Sequence, residues 1–118
     1  MTPLRIRLSR AKGWRMPENT VKVDRTTELG NPFRVGIDGA RRECVHLHRA
    51  LIAGLLSLTS KATIEEQRAH NHAVHAAIPH MRGKNLACWC SLPAPGEPDL
   101  CHAATLLEIF NDSQEPPQ

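Results

Sequence analysis

At 118 residues, 41% hydrophobic and 23% charged, the chain suits one compact domain and is too short for two ordinary ones. Fifteen basic against twelve acidic residues leave a formal charge of +3, which permits an anionic ligand or nucleic acid without demanding either. With no concentrated basic tract, it argues against a non-specific DNA coat. No stretch is long and apolar enough to span a bilayer, and MTPLRIRLSR lacks the apolar run of a signal peptide, so the expected address is a reducing cytoplasm.

In chain order, Leu4, Ile6 and Leu8 alternate with Arg5 and Arg7, which predicts a half-buried strand with both arginines on a solvated face. Gly13, Pro17 and Asn19 break the next stretch, and TVKVD (Thr20–Asp24) alternates again as a second strand. Between them, Trp14 beside Arg15 offers a surface for stacking on a base, against the alternative of a partly buried core tryptophan. The stretch from Arg25 onward reads as irregular, with Gly30–Phe33 as a shaped loop, because Pro32 pushes Asn31 out of the helical region.

From Ala40 to Leu58, Cys44, Leu47, Leu51, Leu55 and Leu58 recur every three or four residues, the pattern of an amphipathic helix with Cys44 on its apolar stripe. Thr63 followed by Glu66 signals a capped second helix that reaches about His80, where Pro79 disturbs its end. Cys44 and His48, and likewise His72 and His75, have helical spacing that could pair them. The expectation is nevertheless a core role for Cys44 and a solvated surface for His70, His72 and His75. Asn85–Cys90 reads as a third strand, and Asp99 as the N-cap of a last helix over Leu100–Phe110. The fold class is therefore α/β (or α+β): a single domain over residues 1–110, about three strands in one sheet with three helices, and a disordered tail at 111–118.

Three of the four cysteines and a histidine crowd into NLACWCSLPAPGEPDLCH. Residues two apart on a strand share a face, so Cys88 and Cys90 project together, with Trp89 turned the other way into the core. The proline-rich loop Ser91–Leu100 can return the chain so that Cys101 and His102 approach the pair, at a helix start whose dipole favours a Cys101 thiolate. Three thiolates and an imidazole make a known zinc set. Three readings stay open: a metal site formed by Cys88, Cys90, Cys101 and His102 with zinc as the expected ion; a reactive thiol at Cys101 assisted by His102; or buried structural cysteines. A second candidate is Arg25 with the Gly30–Phe33 loop, at a strand end where α/β folds place ligands. Arg25 can grip a phosphate or carboxylate and Asn31 can read a base or sugar hydroxyl, unless the loop merely shapes its own turn.

KGWRMPENTVKVDR, then GNPF, then RGKNLACWC, then CHAATLLE together resemble the uncharacterised family DUF4326, small proteins of bacteria and their phages. The resemblance runs from about Arg5 to Glu108. It carries over Gly13, Trp14, Arg15, Pro17, Arg25, Gly30, Asn31, Pro32, Phe33, Gly83, Cys88, Trp89, Cys90, Cys101 and His102, while Leu29 and the long 91–100 loop depart from its pattern. It implies no established reaction, but it does imply that loops and cysteines belong to one arrangement, and a phage context implies nucleotides, nucleic acid or a host-defence protein as partners.

The leading expectation is a protein that binds a nucleotide-like or other phosphate-bearing ligand through Trp14, Arg15, Arg25 and Gly30–Phe33 beside the Cys/His cluster. As an enzyme it would be a metal-assisted or cysteine-dependent hydrolase or transferase, with Cys101 and His102 as the catalytic candidates. The alternative is a non-catalytic zinc-stabilised module that binds a protein or nucleic acid. Deaminase, P-loop and simple Rossmann signatures are absent from the sequence.

Overall fold

A computed structural model describes residues 2–112. Its elements are β1 (Arg5–Arg7), β2 (Thr20–Lys22), α1 (Arg41–Ile52), α2 (Ile64–Met81), β3 (Asn85–Cys88) and α3 (His102–Phe110). This is the α/β domain of three strands and three helices that the periodicities predict. All strands are parallel and the sheet order is β1-β3-β2, with Leu86 of β3 opposite both Arg5 and Val21. The central strand is accordingly apolar, Leu86 and Ala87 being fully buried. On the strands packs α3, against β3 and β1, while α1 and α2 pack on α3 and on each other. Val23, Val74, Met81, Leu86, Ala103, Leu106 and Phe110 form the main core, and Phe33, Cys44, Leu51 and Ala62 a smaller one.

Several boundaries move for local reasons. The leucine periodicity runs to Leu58, yet α1 stops at Ile52. Gly54 takes a positive φ of 102°, and the Gly54 and Leu55 amides donate to the Leu51 and Ala50 carbonyls, a Schellman ending that leaves Leu55 and Leu58 exposed. Thr63 caps α2 as predicted, its hydroxyl accepting from the Glu66 amide, but the helix continues through Pro79 to Met81. Asp99 is not the cap of the last helix; Cys101 occupies that position and Asp99 pairs with Arg5.

The strand pattern of β1 is also reversed in part. Leu4 is 60% exposed whereas Arg5 is buried, because Arg5 faces the 91–100 segment rather than water. Of the proposed tail, Asn111 and Asp112 are hydrogen-bonded: Asn111 donates to the Leu107 carbonyl and accepts from the Gly83 amide, and the Asp112 carbonyl accepts from Arg82. Residues 113–118 lie outside the described residues. No helix among the described residues is long and apolar enough to cross a membrane.

Candidate metal centre

Parallel strands leave a sheet on one edge, and here the segments following β1, β2 and β3 and the start of α3 all gather there. Cys88 closes β3 and Cys90 follows it on the same face, their Sγ atoms 3.8 Å apart. The turn of the 91–100 loop brings back Cys101, and the three Sγ atoms lie within 4.8 Å of one another. Zinc bound tetrahedrally at Zn–S distances of about 2.3 Å would hold its sulfurs about 3.8 Å apart, so the trio fits such an ion with little movement. These three cysteines could hold a metal ion. All are free thiols; Cys88 and Cys101 are buried and Cys90 half-buried.

Arg5 holds the loop that carries them. Its Nε pairs with the Asp99 carboxylate near the loop's end, while Nη1 and Nη2 donate to the Cys90 and Ser91 carbonyls at 2.8 and 2.5 Å at its start. One buried guanidinium thus fixes both ends of the ten-residue connection between Cys90 and Cys101, as a planar fork can and a lysine cannot. No local pattern hints at this, since an arginine in an alternating strand reads as solvent-facing.

The thiols share protons unequally. Hydrogen bonds to Cys101, then to Cys88, favour a Cys90 thiolate, with help from the charges of Arg41 and Arg5. The Cys88 thiol is lowered too, first by its bond with Cys101. Cys101, as the shared donor to Cys88 and Cys90 and a buried group, is pushed up rather than down. The Cys101 thiolate expected at the helix start is therefore not the favoured form: its two sulfur neighbours and its burial keep the proton on it.

His102 stands at the rim of the trio without belonging to its mutually close set. Its Nε2 lies 2.7 Å from the Val23 carbonyl, which can only accept, so Nε2 carries a proton, and Nδ1 faces Cys101 Sγ at 3.9 Å. Fixing one imidazole nitrogen on a carbonyl so that the other is free is how proteins orient metal-binding histidines. Behind it, His48 lies edge-on to His102 with ring centroids 5.5 Å apart, and His48 Nε2 is 2.8 Å from His70 Nε2. His70 Nδ1 in turn meets the Glu28 carbonyl at 3.0 Å. His48 and His70 are therefore buried, contrary to the solvated surface expected for His70, and burial holds His48 well below and His70 down to about 4, both neutral. Their hydrogen bonding to each other and to a loop carbonyl is invisible to helical spacing. His72 and His75 are exposed and Cys44 sits in the smaller core, as expected.

Beside the cysteines lies a cavity of about 160 Å³. Cys90, Cys101 and His102 line it together with Arg25, Asn31, Phe33 and Arg41. Arg25 spans the loop, reaching the Asn31 and Phe33 carbonyls at 3.3 and 3.2 Å. Asn31 serves the loop itself, accepting from the Phe33 amide and donating to the Cys44 carbonyl. Gly30 is required by close approach: a Cβ there would lie 2.5 Å from the Asp24 carbonyl oxygen and 2.6 Å from Arg25 Cα. Phe33 is wholly buried, and Pro32 lines a separate, larger cavity with Gly30 and His70. Trp14 and Arg15 lie in the exposed loop after β1 and do not line the cysteine cavity. Arg41, which no sequence pattern singles out, does.

Trp89, expected in the core, is 40% exposed. Its Nε1 donates to the buried Asp24 carboxylate at 2.8 Å, and the Arg10 guanidinium lies 4.5 Å over its ring. Burial would raise the Asp24 carboxyl, but hydrogen bonds from the Thr26 hydroxyl, Trp89 and the Thr26 amide hold it below its ordinary value.

A small parallel α/β domain with a three-thiol cluster at the carboxyl edge of its sheet is what the geometry defines. The chain belongs to the family DUF4326, a domain of unknown function, whose match covers residues 6–112 and so includes every residue of the cluster and its cavity. No curated protein and no solved structure matched it.

Proposed function

We propose that this chain is a cytoplasmic zinc-binding protein whose centre, formed by Cys88, Cys90 and Cys101, borders a pocket for the phosphate of a nucleotide-like ligand, as in a metal-assisted hydrolase or transferase. The observation that carries this reading is the shared cavity: Cys90, Cys101 and His102 face the same space as Arg25 and Arg41. Two arginines lining one small cavity suit an anion. At about 160 Å³ the space takes a phosphate group or a few waters but is smaller than pockets that enclose a whole ligand, so a base and sugar would stay outside it. Bound zinc would supply Lewis acidity there. The chain's own residues orient: Arg25 and Arg41 hold the anion, Arg5 holds the loop. A Cys101 nucleophile is the weaker version, since that thiol is buried and held protonated.

A second reading is favoured by one observation. The Nδ1 of His102, 3.9 Å from Cys101 Sγ, is near enough to complete a four-ligand shell, which would leave no open position and make the domain a zinc-stabilised module for a macromolecular partner.

Elemental analysis of untagged protein, with thiol titration before and after chelation, tests the centre. About one zinc per chain and thiols protected until chelation are expected, whereas freely reacting thiols with no metal would refute it. Cobalt-loaded protein then separates the two readings through its visible spectrum. Inorganic phosphate shifts the bands if a position opens onto the cavity, and Arg25→Gln abolishes that shift; a closed shell leaves them unchanged.

A further inference from the structure

The 118 residues carry their excess positive charge in one place. From Leu4 to Pro17, LRIRLSRAKGWRMP holds five cations and no acid. Arg5 is consumed inside the fold by Asp99, but Arg7, Arg10, Lys12 and Arg15 have no acidic partner within ion-pair distance among the described residues. Those four exceed the net charge of the whole chain, so the remainder is close to neutral. The excess charge is thus local in the chain, on β1 and the loop that follows it.

Both tryptophans accompany it. Trp14 lies within the segment and is exposed, and Trp89 forms with Arg7, Leu8, Ser9 and Arg10 the walls of an open cleft of about 430 Å³, large enough for a nucleotide. The way Trp89 is held is the second observation. A buried carboxylate, Asp24, is committed to its indole nitrogen, which fixes the ring's rotation while its surface stays in water. A core role would bury such a ring. Holding it outside, rigid and flanked by arginines, instead removes the entropic cost of presenting a flat aromatic face.

We infer that the cleft of Arg7, Arg10 and Trp89, with the exposed Lys12, Trp14 and Arg15 of the loop that follows, binds single-stranded nucleic acid, a base stacking against Trp89 while the cations track the phosphates. Stacking platforms set in a basic groove are the general chemistry of single-strand recognition, which needs unpaired bases with free faces. Arg10 already occupies a stacking position over the indole, so an incoming base is sandwiched against it or takes its place. The inference does not depend on the metal centre being catalytic, since Trp89 lines a different cavity from Cys90, Cys101 and His102.

Fluorescence anisotropy of a labelled mixed-sequence 12-nucleotide single strand, with the same sequence as a duplex, tests it on the full-length protein. Micromolar or tighter binding to the single strand is expected, weaker to the duplex, with a slope of log affinity on log salt of about −3 for four neutralised phosphates. Trp89→Ala should weaken binding about tenfold or more, with Trp89→Phe retaining most of it. The exposed triple variant Arg7→Gln, Lys12→Gln, Arg15→Gln, which leaves core and cysteines untouched, should lower the slope to about −1. Absent binding at low salt, preference for the duplex, or an affinity indifferent to both variants would overturn the assignment. Metal content measured on the same samples keeps this outcome separate from that of the zinc reading.

Discussion

Replacing Arg5 by methionine preserves the aliphatic stem and removes the fork. Three hydrogen bonds go with it, one of them to a carboxylate: Asp99 and the carbonyls of Cys90 and Ser91. Removing one partner of a buried ion pair typically costs about 3–5 kcal/mol. The Asp99 side chain keeps 20% exposure and can recover some hydration, which brings the expected loss to roughly 3 kcal/mol. For a domain of this size that is a fall of roughly 10–15 °C in Tm. Thermal unfolding followed by circular dichroism measures it, with Arg5→Lys expected between wild type and Arg5→Met because it retains charge without the fork. Asp99→Asn completes a double-mutant cycle, whose coupling should be at least about 1 kcal/mol for groups in direct contact. The loss should extend to metal affinity, since the clamp sets the distance between Cys90 and Cys101. A Tm within about 3 °C of wild type, or strictly additive effects of the two substitutions, would refute the clamp.

Three further outcomes follow from the same geometry. If the trio holds zinc, Cys88→Ser and Cys101→Ser each lower Tm and abolish stoichiometric metal retention, because zinc binding is coupled to folding; unchanged melting with metal retained would count against it. Gly30→Ala forces a methyl to 2.5 Å from the Asp24 carbonyl oxygen, so urea unfolding should show a loss of about 2–3 kcal/mol, and a change below about 0.5 kcal/mol would mean the close approach is not there. His70 is neutral in the fold down to about pH 4 but titrates near 6.5 when unfolded. Its contribution is therefore complete above pH 6.5 and is lost as pH falls from 6.5 towards 4, roughly 3 kcal/mol in all, and His70→Gln should flatten urea-unfolding free energies over that window. An equally steep profile in the variant would assign the acid sensitivity elsewhere.

Much of the fold is legible in short-range pattern. Alternation at Leu4–Leu8 and Thr20–Asp24, the Thr63–Glu66 cap and the three-four periodicity of α1 depend on neighbours within a few residues, and each corresponds to an element found in the structure. The shared face of Cys88 and Cys90 follows from the two-residue repeat of any strand. The return of Cys101 to them is permitted by the Pro93, Pro95, Gly96 and Pro98 turns of the loop, whose length alone does not require it.

What periodicity assigns is a face, never what covers that face. For this reason alternation puts both Arg5 and Trp89 on the wrong side of the boundary between core and water. The 91–100 segment folds over one position and leaves the other open, and that is decided by residues far along the chain. His70 is buried because His48 and the Glu28 carbonyl happen to meet it, and Arg41 faces the cysteines because α1 docks on α3. The sequence by itself determined which elements form and which cysteines share a face, because those depend on bond geometry and local hydrogen bonds. Only the tertiary structure decided which cations are spent on the loop, which line the cavity and which remain in water, because burial and charge pairing are properties of surfaces brought together across some ninety residues of chain.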